Sequence, residues 1–348
     1  MELISNRFGH LPDGREVTIF TLLNNNNIKI KLTNYGAIIT SIEMPDKEGD
    51  PENIVCGFEN LETYLSNEYL NSYPYFGAII GRFGNRIAKG HLEIEGKTYK
   101  MAINNGPNHL HGGKIGFDRR LFDFETFKKE NEIGVKLSYL SPGGEENYPG
   151  NLKVTCIYSL NNDNELGIQY YAETDQTTVI NLTNHTYFNL TGGKENILNH
   201  ELELTATKMT EMVEQIPTGK IISVEGTPFD FTSCKKINHD MKTMPMGYDD
   251  NFVFDNESGS LKYLGYLKEA NSGRKVEVFT TQPGMQVYTG YWNPELVING
   301  STKFGKFSGI ALETQHYPDS VHHANFPSVL LKPEEVYDQK TVYKFITE

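Results

Sequence analysis

Apolar and polar positions alternate along this chain, and short turns interrupt them. Leu152, Val154, Cys156, Tyr158 and Leu160 are apolar; Lys153, Thr155 and Ser159 stand between them, and Ile157 alone breaks the pattern. Asn161-Asn162-Asp163-Asn164 supplies a turn, after which Leu166, Ile168, Tyr170 and Ala172 resume the alternation. Successive strand side chains point to opposite faces, so this period of two predicts an antiparallel hairpin. Lys275-Val276-Glu277-Val278-Phe279-Thr280 and Met285-Gln286-Val287-Tyr288-Thr289 predict a second strand pair around Pro283-Gly284. Residues 24–27 and 46–50 are further turn clusters. Helical periodicity is confined to possible short turns at 61–65 and 236–241. Many strands with no regular helix between them predict an all-β chain of packed antiparallel sheets rather than a βαβ fold. Residues 1–348 show no fixed-period repeat and no linker, and read as one domain.

Composition narrows the class. A chain of 348 residues can bury a large core. Its 20 Tyr and 19 Phe suit pleated, half-buried surfaces. A formal net charge of −13 argues against nucleic acid and anionic membranes as partners, and leaves a neutral ligand such as a sugar open. Cys56, Cys156 and Cys234 are few and far apart, with neither a disulfide framework nor metal-ligand spacing. The first ten residues lack a basic stretch followed by an apolar run, and no apolar run approaches a membrane span. Asn181, Asn184 and Asn189 match the glycosylation pattern, but without a secretory signal they read as polar strand and loop residues. The expectation is a cytoplasmic protein.

Five segments could carry chemistry. Leu312-Glu313-Thr314-Gln315-His316-Tyr317-Pro318-Asp319 sets one acid at the end of an apolar strand, where poor solvation raises a carboxyl towards a useful general base. Most such glutamates are exposed strand ends. Asn108-His109-Leu110-His111-Gly112-Gly113 would project both histidines to one face if extended. They could then bind a metal with His185 and Glu313, hold a polar ligand, or cap a loop. His185, in Asn184-His185-Thr186-Tyr187, is a general-acid candidate set against the commoner buried core histidine. Asn85 and Arg86, in Gly81-Arg82-Phe83-Gly84-Asn85-Arg86, offer donors and an acceptor for hydroxyls, with a surface ion pair as the bland alternative. Tyr248-Asp249-Asp250-Asn251 is a hydroxyl acceptor or plain turn chemistry, since the calcium-loop spacing is absent. No nucleotide motif occurs.

Together these segments resemble the aldose 1-epimerase, or galactose mutarotase, family. The likeness runs nearly end to end. It takes in Asn34-Tyr35-Gly36-Ala37, residues 81–90, Leu110-His111-Gly112-Gly113, residues 145–150, residues 184–190, residues 283–290 and residues 312–319. The resemblance implies a large antiparallel β-sandwich of the galactose mutarotase type, with a sugar cleft on one sheet and an aldose as the small-molecule partner. It also implies Glu313 as catalytic base, His185 as catalytic acid, and His111, Asn85, Arg86, Asp249 and Gln286 as sugar contacts. The chemistry implied is proton transfer alone, with no metal and no cofactor. A glycoside hydrolase using Glu313 with Asp249, a sugar-binding protein, and a phosphosugar epimerase using Arg82 and Arg86 are the competing readings. The sequence fits a monomer or a homodimer equally and singles out no one aldose.

Overall fold

The computed structural model describes residues 1–254, 259–298 and 301–348. Three antiparallel sheets carry the architecture. A nine-stranded sheet runs in the order Asp123–Lys129, Glu132–Ser141, Leu152–Asn161, Glu165–Thr174, Tyr337–Thr347, Arg274–Thr280, Lys262–Lys268, Glu201–Leu204, Lys235–Lys236. A six-stranded sheet runs Tyr187–Phe188, Ile310–Gln315, Gly284–Tyr288, Asp249–Val253, Lys208–Val213, Ile216–Ser223. An amino-terminal five-stranded meander, Glu2–His10 to Pro51–Asn53, completes the set.

Alternation explains how the sheets meet. Val154, Cys156 and Tyr158 of the nine-stranded sheet, Phe20, Ile30 and Ile42 of the meander, and Met285, Val287, Ile310 and Leu312 of the six-stranded sheet fill one apolar core. Truncating one such side chain to alanine would cost about 2–5 kcal/mol. The hairpin expected at 152–172 is present, with Leu152 paired to Thr174 and Leu160 to Leu166. Asn161 Oδ1 accepts the amides of Asp163 and Glu165 and so closes its turn. Residues 61–65 form a helical turn capped by Asn60, and Ile237–Asp240 is a 3-10 turn.

The strand pair expected around Pro283-Gly284 does not form. Arg274–Thr280 pairs with Lys262–Lys268 and Tyr337–Thr347, whereas Gly284–Tyr288 pairs with Asp249–Val253 and Ile310–Gln315. The chain changes sheets between them: the Thr281 amide still bonds Lys340 O, while Pro283 O already accepts from the Phe254 amide. Pro-Gly favours turns whose twist splays adjacent strands, so it suits a crossover better than a tight hairpin.

Asn181, Asn184 and Asn189 are buried and spend their amides on backbone carbonyls, as structural polar residues do. Among the described residues no helix is long and apolar enough to cross a membrane. His200 Nε2 accepts the Leu190 amide at 2.8 Å, and burial pushes its pKa down to about 4. Its folded pKa lies below the unfolded value of about 6.5, so its contribution is intact above that pH and is lost as pH falls towards 4. That loss amounts to roughly 3 kcal/mol. The stability gap between wild type and His200→Gln, read from urea midpoints, should therefore narrow steadily from pH 7 to pH 4. A gap that stays constant over that range would refute the buried neutral histidine.

Candidate active site

Register builds the floor of a cleft. Opposed residues on antiparallel strands share a face, and Asn251 stands opposite Gln286, which stands opposite Glu313. Asp249 opposite Tyr288 forms the next row. Because Met285, Val287, Ile310 and Leu312 of the same strands face the core, this polar row is turned to the other side of the sheet. Glu313 is thus the fourth of six buried residues in its strand, not a strand end. Gln286 Nε2 donates to Asp249 Oδ1 at 2.7 Å, and Asp249 lines the cleft. Asp250 points the other way along the strand's alternation, and its Oδ2 accepts the Asp249 amide.

Loops supply the walls. Arg86–Ile87 pairs with His109–Leu110 in a two-stranded ribbon. Beyond it the His111 amide donates to Asn85 O, and the Asn85 amide donates to His111 Nδ1, both at 3.1 Å. The chain then turns at Gly112, where a Cβ would lie 1.9 Å from Gly81 O, so only glycine fits. His111 has a left-handed backbone (φ 52°), which breaks the extended path expected through His109 and His111. The two rings therefore have different surroundings. His109 bonds Ala102 O and the Tyr148 hydroxyl, while His111 faces the cleft. Arg86 Nε donates to Asn105 Oδ1 at 3.0 Å. Arg82 lies apart, fully buried, with its guanidinium spent on Ser141, Pro142 and Pro149.

His185 follows the bridge of Thr183–Asn184 to Ile79–Ile80, and its amide donates to Ala78 O. Its ring stacks on Tyr187 at 4.8 Å and on Tyr75 at 5.9 Å, and meets His111 edge-on at 5.3 Å. His185 Nε2 stands 3.6 Å from Glu313 Oε1. Both side chains are almost fully buried. Burial, with Asp249 adding to it, pushes the Glu313 carboxyl well above the usual carboxylate range, against an opposing pull from Arg86. Burial pushes His185 down to about 3 and His111 well below its ordinary value. Glu313 Oε2, Gln286 Oε1 and His185 Nδ1 are buried without a protein partner. Polar capacity of that kind fits a ligand rich in hydroxyls.

One atom each of His111, His185 and Glu313 lies within 4.8 Å of the others, a donor set that zinc could use. The tautomer of His111 opposes this. Its Nδ1 accepts the Asn85 amide, so the neutral ring carries its proton on Nε2 and has no lone pair left for a metal. His185 and Glu313 remain, too few for a zinc site.

All seven residues expected from sequence, Glu313, His185, His111, Asn85, Arg86, Asp249 and Gln286, converge in this region, and six of them line the cleft itself. Gln286 lies beneath it against Asp249. Sequence reading missed Tyr75, Asn105, Gln215 and Trp292, which also line it. Tyr75 adopts φ 59°, an uncommon conformation for an aromatic residue that no residue pattern betrays. Trp292, the only tryptophan, is exposed at the rim.

Residues 18–344 match the family model for aldose 1-epimerase. The chain is 43% identical over 342 residues to the galactose mutarotase of Bos taurus, covering 97% of each chain. It is 33% identical over 345 residues to the aldose 1-epimerase of Escherichia coli strain K12, again covering 97% of each. Among solved structures it resembles the galactose 1-epimerase of Lactobacillus acidophilus, with a TM-score of 0.85, 25% identity, and coverage of 99% of this chain and 98% of that one. A C. elegans aldose epimerase homologue gives a TM-score of 0.85 at 27% identity, covering 94% and 98%. With the motifs in order and the sandwich in place, the chain belongs to the aldose 1-epimerase family.

Proposed function

We propose that this chain is an aldose 1-epimerase that interconverts the α and β anomers of free hexoses such as galactose and glucose. The observation that carries the reading is the buried Glu313–His185 pair at 3.6 Å, set in a cleft lined by hydroxyl-binding groups. Glu313 takes the proton of the anomeric hydroxyl while His185 gives one to the ring oxygen. The O1–H electrons become the second bond of the C1 carbonyl, and the C1–O5 pair leaves on O5. The aldehyde turns about C1–C2, and the ring closes on its other face with the roles reversed. One proton has crossed from His185 to Glu313 and returns on closure, so the pair ends as it began. The state with both groups neutral, which burial favours, is the one that accompanies the open chain.

Asn85, Arg86, Asp249, Gln286 and the Nε2–H of His111 hold the sugar hydroxyls. A sugar lacking one of those hydroxyls strands a buried polar group and binds less well. A phosphosugar reading is disfavoured because Arg82 is buried away from the cleft. The three cysteines are free, which suits a reducing cytoplasm.

Polarimetry of freshly dissolved α-D-galactose and α-D-glucose tests the function: the protein should speed the approach to equilibrium rotation. A rate equal to the spontaneous one would refute it. Proton transfer alone also predicts that full activity survives exhaustive chelation. Loss on chelation with recovery on adding one divalent metal would reinstate the metal reading.

A further inference from the structure

Asp319 lies outside the cleft lining, yet its buried carboxylate joins three segments that serve the cleft. It terminates the run that begins in the Glu313 strand, and it is 2% exposed. Its backbone is left-handed (φ 54°), a conformation aspartate tolerates better than most residues. In that conformation its amide donates to Arg86 O at 3.0 Å, and its Oδ1 accepts the Ala88 amide at 2.8 Å. One residue thus brackets the main chain of Arg86–Ala88 with a donor and an acceptor. The same Oδ1 holds His322 Nδ1 at 2.7 Å, and Oδ2 lies 3.7 Å from His323 Nε2. His323 Nε2 in turn reaches Pro217 O at 3.1 Å, two residues after Gln215, whose hairpin tip enters the cleft.

We propose that Asp319 is a positioning residue for sugar binding, acting through the main chain of Arg86 and, by way of His323, through the hairpin that carries Gln215. The inference rests on the mutarotase reading of the cleft. Asn105 aims the Arg86 guanidinium from the side-chain end, and Asp319 fixes the backbone from which it projects. Loosening that backbone misplaces a hydroxyl-binding group and leaves the Glu313–His185 pair where it is. The effect therefore falls on substrate affinity and not on the chemical step.

The test is steady-state mutarotation of α-D-galactose by the full chain, comparing wild type, Asp319→Ala and Asp319→Asn. Asp319→Ala should raise KM roughly five- to tenfold, the scale of one net hydrogen bond, with kcat within about twofold. Both limbs of the pH profile should stay in place. Asp319→Asn keeps an oxygen for the Ala88 amide and loses the carboxylate charge facing the histidines, so its KM should rise only about two- to threefold. A wild-type KM in Asp319→Ala, or a fall in kcat with KM unchanged, overturns the proposal. Should Asp319→Ala fail to fold, a wild-type KM in Asp319→Asn overturns it instead. An inactive wild type would count against the mutarotase reading itself, which keeps the two failures distinct.

Discussion

Glu313→Gln should lower kcat for galactose mutarotation by about a hundredfold or more, the usual scale for a lost general base, while KM stays close to wild type. Glutamine has nearly the shape of glutamate, and the strand Ile310–Gln315 is held by Gly284–Tyr288 on one side and Tyr187–Phe188 on the other. The site should therefore remain intact. Removing a carboxyl that burial pushes well above its ordinary range should leave thermal stability unchanged or slightly higher. The check is polarimetry alongside a melting curve. Near wild-type turnover in a folded Glu313→Gln protein would sink the assignment of the base.

The second large effect is on pH. The working state of the pair holds one proton between Glu313 and His185, and the proton count is the same whichever residue carries it. At 3.6 Å the two groups titrate together, so the limbs of the rate profile belong to the pair. Burial lowers His185 to about 3 and raises Glu313, so the one-proton state spans a wide window that includes neutral pH. Below the window a second proton joins the pair and no base remains. Above it the last proton leaves and no acid remains. The profile should be bell-shaped, with its acid limb well below the ordinary histidine value of about 6.5. His185→Asn should cost most of the rate and abolish the alkaline limb, because Glu313 alone needs only to be ionised. An alkaline limb unchanged in His185→Asn would identify another group as the acid, His111 first among them.

Sequence made the chemistry-bearing types legible and left their arrangement hidden. Glu313 could be singled out because a lone acid in an apolar run is conspicuous, and the alternation at 152–172 named its hairpin correctly. The row Asn251–Gln286–Glu313 could not be read, since it depends on which strands pair and in what register. The same ignorance of partners led to pairing Lys275–Thr280 with Met285–Thr289, although the chain changes sheets between them. His109 and His111 were expected on one face because extended backbone is the default for such a stretch; a left-handed residue at His111 separates them. That turn also lets the Asn85 amide fix the His111 tautomer, which decides between donor and metal ligand. Arg82 and Arg86 are the same residue type four positions apart. Only tertiary contacts show one spent on buried carbonyls and the other aimed by Asn105 and Asp319.

Which bond to the anomeric carbon breaks decides between ring opening and its alternative. Opening C1–O5 leaves the original oxygen on C1, whereas a glycosidase-like route through Glu313 and Asp249 breaks C1–O1 and takes its oxygen from water. Anomerisation of α-D-galactose in water enriched in oxygen-18, quenched after many turnovers and read by mass spectrometry, separates the two. The prediction is fast anomer exchange with no label at C1 beyond the slow uncatalysed background. Label entering C1 at the rate of anomerisation would contradict ring opening by the Glu313–His185 pair.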